Sequence, residues 1–356
     1  MNYVDELIKQ RNLPPLMSGI ESQEGFIKKQ KEIRRLLAEK QYGVIPPKPE
    51  HMSVEITDED ERFCAGSVVL RRLKLNFEHE GNSFSFVATS AIPKSDKPVP
   101  AFLHINFWSP VPNKYMPTEE ICDGGFAVFS FCHADVTSDD GDFKNGCAKY
   151  LVKSRRNANA SGKLAIWAWA AMRVMDYIET LSEIDSTKVT VVGHSRLGKT
   201  ALLASAYDDR FMCAISNDSG CCGAAIERKK AGETYKRIAE VFPFWFCPSF
   251  IKNALAEKEM PFDQHYLLAL SVPRHIIIGS AEEDLWADPT SEFLCLASVN
   301  EAYRLFNKRG LVHNDVIPTP NTVLSEGDTA YHIRTGTHYF SRRDWVAYMD
   351  IVRKWL

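Results

Sequence analysis

The feature that most constrains this chain is the run from Lys188 to Tyr207. Val189-Thr190-Val191-Val192 is a β-branched strand segment, and it passes without a linker into Gly193-His194-Ser195-Arg196-Leu197-Gly198-Lys199 and then an Ala/Leu-rich helix. Strand, sharp turn, helix, with serine at the turn, is the context a nucleophile elbow requires. A serine so placed stands at the carboxyl edge of a sheet. The N–H groups opening the next helix point toward a developing oxyanion. The small-residue spacing is G-x-S-x-x-G, because Leu197 takes the place of the second glycine. A purely structural strand-to-helix turn is the competing reading, and the flanking context weighs against it.

The surrounding pattern predicts the architecture. Residues 20–42 read as a helix, stopped by Gly43 and the prolines 46–47. Ser67 to Phe77 and Ser83 to Ile92 alternate as strands, while the apolar runs Val99 to Phe107 and Gly125 to Phe131 suit strands buried on both faces. Helix 164–178, strand 188–192, helix 198–207, strand 212–216, strand 274–279, helix 291–307, strand 331–334 and helix 343–354 follow. This β/α alternation predicts one α/β domain, a doubly wound, mostly parallel sheet with helices on both faces in three layers. It spans 1–356, with a helical extension over about 1–50. The Phe- and Trp-rich stretch 220–262 is expected to cap the sheet's carboxyl edge.

A serine nucleophile needs a base, and the base needs an orienting carboxylate. In this architecture the acid follows a strand beyond the serine and the histidine sits on a late loop. Asp284 follows the strand 274–279, and His338 lies just before the last helix. An N-cap role for Asp284 or Asp288 and a plain surface loop for His338 are the bland alternatives. His332 is a rival base, but it falls within a strand. Asp218 ends the strand after the serine's helix, so it is an alternative or auxiliary acid.

Composition removes other classes. A net charge of −3 with scattered Lys and Arg gives no basic patch for nucleic acid. No apolar run approaches the ~18 residues a membrane span needs. Met1-Asn2-Tyr3-Val4-Asp5-Glu6 lacks the start of an export signal. The chain as written is thus expected in the cytoplasm, or secreted if a signal has been removed. Nine cysteines, an odd number without a C-x-x-C pair, argue against structural zinc and a full disulfide framework. Metalloprotease, P-loop and dinucleotide motifs are missing, and no metal or organic cofactor is expected.

Several motifs in order resemble carbohydrate esterase family 15, the glucuronoyl esterases of the α/β-hydrolase superfamily, from about residue 20 to the C-terminus. They are Trp167-Ala168-Trp169, the 193–199 elbow, Asn217-Asp218-Ser219-Gly220, Gly232-Glu233-Thr234, Asp263-Gln264-His265, Asp284-Leu285-Trp286-Ala287-Asp288-Pro289, and Gly336-Thr337-His338 ahead of Asp344-Trp345. His194 stands where fungal members carry a disulfide cysteine, which resembles the bacterial branch. The resemblance implies Ser195 as nucleophile, His338 as base and Arg196 as oxyanion stabiliser. It implies Lys199, Glu233 and Trp286 around the sugar. Family members often carry glutamate where this chain has Asp218, and the shorter side chain shifts the expected acid to Asp284. A glutamine that touches the sugar in some members is not matched to one particular position of this chain.

The implied substrate is a glucuronic acid ester or glucuronoxylan, with or without a 4-O-methyl group, joined to a lignin-type alcohol. Deacetylation of xylan or broader carboxylesterase activity is the nearest alternative. A non-catalytic carbohydrate-binding protein on the same scaffold is the third, and its expected mark is a broken triad.

Overall fold

The computed structural model describes residues 3–153 and 156–356; Met1 and Asn2, where the reading for an export signal begins, lie outside them. Among the described residues, ten strands form one sheet: β1 (His51–Phe63), β2 (Val68–His79), β3 (Asn82–Pro93), β4 (Val99–Asn106), β5 (Ala127–Cys132), β6 (Ile184–His194), β7 (Cys213–Asn217), β8 (His275–Ala281), β9 (Thr322–Leu324) and β10 (Thr329–Arg334). Their order is β1-β2-β3-β5-β4-β6-β7-β8-β10-β9. From β5 through β10 every pairing is parallel. The β1–β3 meander joins β5 antiparallel, and β9 closes the far edge antiparallel to β10.

The central strands are apolar at successive positions because each face has its own core. Strand side chains alternate between faces. Leu103, Val191, Ala214, Ile276 and Ile278 enter one cluster with the helices Lys163–Ile178 and Arg196–Tyr207. Their neighbours Phe102, Val192, Ile215 and Ile277 enter the other, against Trp345, Tyr348 and Met349 of the helix Arg342–Arg353. Helix Lys163–Ile178 is apolar nearly all round and buried nearly all round. Its outer side is covered by the N-terminal segment, where the Trp169 indole N–H donates to the Pro47 carbonyl at 2.8 Å. No helix among the described residues is long and apolar enough to cross a membrane.

The structure departs from the sequence reading at three places. Strand β1 was not expected, since Asp58-Glu59-Asp60-Glu61 is poor in strand formers. It is held by charge across the ladder: Arg71 Nε donates to Glu59 at 2.6 Å, and Arg72 lies 3.7 Å from Asp58. Strand β9 was also not expected; its three residues are too few for a periodic signal. The single helix expected over 291–307 is two, Pro289–Ala297 and Asn300–Arg304. The Asn300 side chain bonds both backbone groups of Leu311, at 2.6 and 2.9 Å, and Val299 leaves helical geometry (φ −97°, ψ 1°).

The stretch 220–262 divides in two. Residues 220–227 are buried throughout, running under the carboxyl edge. The short helices Tyr235–Val241 and Pro248–Ala254 lie further out, the second against helix Gln23–Lys40.

Candidate active site

Parallel strands deliver their C-terminal residues to one edge, and the chain changes direction there. Phe107 and Trp108 follow β4, His133 follows β5, Ser195 follows β6, Asp218 follows β7, Asp284 lies beyond β8 and His338 beyond β10.

Ser195 has φ 57° and ψ −128°, a conformation that costs about 1–3 kcal/mol for a residue with a side chain. Backbone hydrogen bonds hold it. Its N–H donates to Asn217 O at 2.8 Å, and its carbonyl accepts from Gly198 at 2.9 Å and Lys199 at 3.2 Å. The spacing of small residues now has a cause. A Cβ at 193 would run into the Leu197 carbonyl, and one at 198 would meet Ser216 Oγ at 2.9 Å. Position 197 approaches the turn only through its backbone, so its side chain is free to be a buried leucine.

His338 Nδ1 lies 2.6 Å from Asp284 Oδ2. A carboxylate has no proton to give, so Nδ1 donates and Nε2 is left as the acceptor nitrogen. Asp284 is buried, whereas the His338 side chain is 43% exposed, its ring 4.5 Å from that of His194. His194 is buried and donates to Asn217 Oδ1 at 2.8 Å. Burial, with His338 alongside, holds its pKa well below the usual imidazole value, so it stays neutral.

Asp218 is the second carboxylate. It is fully buried with φ 47°, and its Oδ2 lies 3.4 Å from an Arg334 nitrogen, while Oδ1 has no partner among the described residues. Burial and then Glu292 push its pKa well up, against the pull of Arg334. Ligating atoms of Asp218, Asp284 and His338 all lie within 4.8 Å of one another. The imidazole's hydrogen bond goes to Asp284. His332 donates instead to Asp344 at 3.1 Å from inside β10, and Asp288 caps helix Pro289–Ala297.

The Arg196 guanidinium sits between the rings of Phe107 (5.3 Å) and Trp245 (5.0 Å) and pairs with Asp139. Asp139 also accepts from the Trp245 indole at 2.6 Å and faces His133 at 3.8 Å. Burial alone would lower the His133 pKa, but Asp139 and Cys132 override it and raise it to about 9. Sequence reasoning missed Asp139. Its only signal is the acidic turn Asp139-Asp140-Gly141-Asp142 a few residues past β5.

Glu233 and Trp286 are brought together by backbone: Glu233 N–H donates to Trp286 O at 3.0 Å, and Gly232 (φ 71°) packs so closely on 285–286 that no Cβ fits. Trp286 is 54% exposed, Glu233 is buried, and the Lys199 ammonium donates to Ser219 O from beneath. Under the floor, Cys221, Cys222 and Glu227 form a second cluster of possible metal ligands. Its carboxylate is already engaged, accepting from Cys222 N–H at 2.7 Å and the Cys221 thiol at 3.2 Å.

A doubly wound sheet carrying a strained serine between strand and helix, with a histidine–aspartate pair on later loops, defines an α/β-hydrolase. The family model for fungal glucuronyl esterases matches residues 75–307. A carbohydrate esterase from an unknown prokaryotic organism is 33% identical over 91% of this chain and 83% of its own length. The 4-O-methyl-glucuronoyl methylesterase of Neurospora crassa is 29% identical, covering 78% of this chain and 68% of that protein. Among solved structures, a glucuronoyl esterase from Solibacter usitatus superposes with a TM-score of 0.89 at 29% identity, covering 96% of this chain and 97% of the other. The chain belongs to the glucuronoyl esterase family, carbohydrate esterase family 15, and is an esterase.

Proposed function

We propose that this esterase cleaves the ester joining the carboxyl group of glucuronic acid, with or without a 4-O-methyl group, to an alcohol, as in the glucuronoxylan–lignin linkages of plant walls. Family membership supports the uronate. The observation that carries the chemistry is the 2.6 Å hydrogen bond between His338 and Asp284 at the sheet edge that also bears Ser195.

In this reading His338 Nε2 takes the Ser195 hydroxyl proton as Oγ attacks the ester carbonyl. The helix N–H groups after Ser195 and the Arg196 cation stabilise the oxyanion, and Asp139 fixes where that cation stands. His338 then protonates the leaving alkoxide, and water releases glucuronate by the same steps. Asp284 holds the imidazole tautomer and stabilises the imidazolium. Asp218 is an auxiliary acid, buried against Arg334. Lys199, Glu233 and Trp286 are assigned to the sugar, the indole face suiting the apolar side of a pyranose. We further propose one catalytic domain over 1–356, with residues 1–50 as an extension and 220–262 as a cap-like insertion.

Hydrolysis of benzyl glucuronate, compared with p-nitrophenyl acetate and with Ser195→Ala as control, tests this function. Lys199→Ala and Trp286→Ala should impair the uronate ester far more than the acetate. Equal losses on both would remove the uronate pocket and favour a general carboxylesterase.

A further inference from the structure

The loop 335–339 carries His338 and is itself mostly exposed, with neither helix nor ladder to fix it. One side chain gathers it. Arg334, the last residue of β10 and itself buried, donates from one terminal nitrogen to Thr335 O at 3.1 Å. Its other terminal nitrogen donates to Thr337 O at 3.1 Å and to Tyr339 O. The loop is thus wrapped around a guanidinium, with the two carbonyls that flank His338 both drawn onto it. Arg334 Nε in turn donates to both oxygens of Asp344, at 3.1 and 2.9 Å. Asp344 is immobile for separate reasons: it is fully buried, forms the capping box of the last helix with Ser341, and accepts from His332. The loop is also laced to the Asp284 segment by backbone, Glu282 N–H to Arg334 O at 2.9 Å and Glu283 N–H to Gly336 O at 3.0 Å.

We propose that Arg334 is the positioning residue for the base: anchored on Asp344, it sets the loop that holds His338 Nδ1 on Asp284. A planar fork with five donors can bond carboxylate and loop carbonyls at once, and a lysine ammonium cannot. The inference rests on the reading of His338 and Asp284 as base and acid. It also gives Asp218 a place: its Oδ2 sits on the same guanidinium at 3.4 Å, which makes it a partner of the clamp.

The test is a double-mutant cycle on benzyl glucuronate with Arg334→Lys, Asp284→Asn and the pair, reading kcat and KM separately with a thermal melt of each. Arg334→Lys should lower kcat roughly ten- to a hundredfold, in line with the cost of a misplaced catalytic group, with KM nearly unchanged. In the Asp284→Asn background it should cost no more than about twofold further, since the contact it protects is already impaired. Full additivity, or a loss confined to KM or to melting temperature, would overturn the inference while leaving the triad reading intact. An Asp284→Asn variant with wild-type kcat would overturn both. Should Arg334→Lys fail to fold, Gly336→Ala loosens the same clamp from the exposed side. Its φ of 99° disfavours a side chain, and its Cβ would lie 3.3 Å from an Arg334 nitrogen. That variant should show the same kcat loss and the same non-additivity with Asp284→Asn, and wild-type kcat in it would count against the clamp.

Discussion

The turn at Ser195 and the loop at His338 meet at one sheet edge, yet they are held in opposite ways. The serine turn is buried backbone: a positive φ, hydrogen bonds to Asn217, Gly198 and Lys199, and glycines packed against main chain. The histidine loop is exposed, and side chains tie it down, the distant Asp284 through the ring and the adjoining Arg334 through the carbonyls. A turn held by main chain has no slack and fails by losing stability. A loop clamped by side chains can lose alignment while the fold survives.

The largest expected effect is on the serine itself. Ser195→Ala should fold normally and lose on the order of a million-fold in kcat. A tenth of wild-type activity remaining would put the nucleophile elsewhere. Next comes the turn's backbone. Gly193→Ala should cost about 3 kcal/mol or prevent folding, because the new methyl meets a carbonyl that cannot retreat. Thr337→Ala on the exposed loop should stay within about 0.5 kcal/mol. Denaturant melts of the two variants compare the regions directly, and equal losses would break the contrast.

The two carboxylates sharpen it further. Asp284→Asn should lower kcat at least ~100-fold, and Asp218→Asn ~10-fold or less, scaled down from the ~10⁴-fold loss known for an orienting aspartate because a second carboxylate stands close by. If Asp218→Asn proved the more damaging, the acid would belong to β7. A modest effect is expected at the buried Glu227. Burial holds Glu227 at about 8, against about 4.3 in the unfolded chain. The folded state therefore binds the extra proton between those values, and stability falls as pH rises through that window. Glu227→Gln should flatten the decline of Tm between about pH 4.5 and 8 by a few degrees. An unchanged profile would mean that Glu227 does not titrate there.

How much of this was legible depends on range. The serine turn, the buried parallel strands and the two-faced sheet follow from neighbours in sequence: β-branched runs, glycine spacing and alternation are local properties. Residues 58–61 misled because strand β1 is stabilised by charges on its partner strand, which no local propensity reports. Asp139 was missed because its meaning lies in Arg196 and Trp245, 57 and 106 residues away.

The sequence by itself determined that a serine would stand between strand and helix at a sheet's carboxyl edge, and that Asp218, Asp284 and His338 would arrive at that edge on later loops. Which aspartate receives the histidine was decided by tertiary structure, because β7 and β8 are neighbours and deliver both carboxylates within 4.8 Å of the ring. Asp218 turns inward at a positive φ and lies against Arg334, while Asp284 is left facing Nδ1. Hydrogen bonding discriminates over tenths of an ångström. Distances of that size are set by packing between strands and loops far apart in the chain.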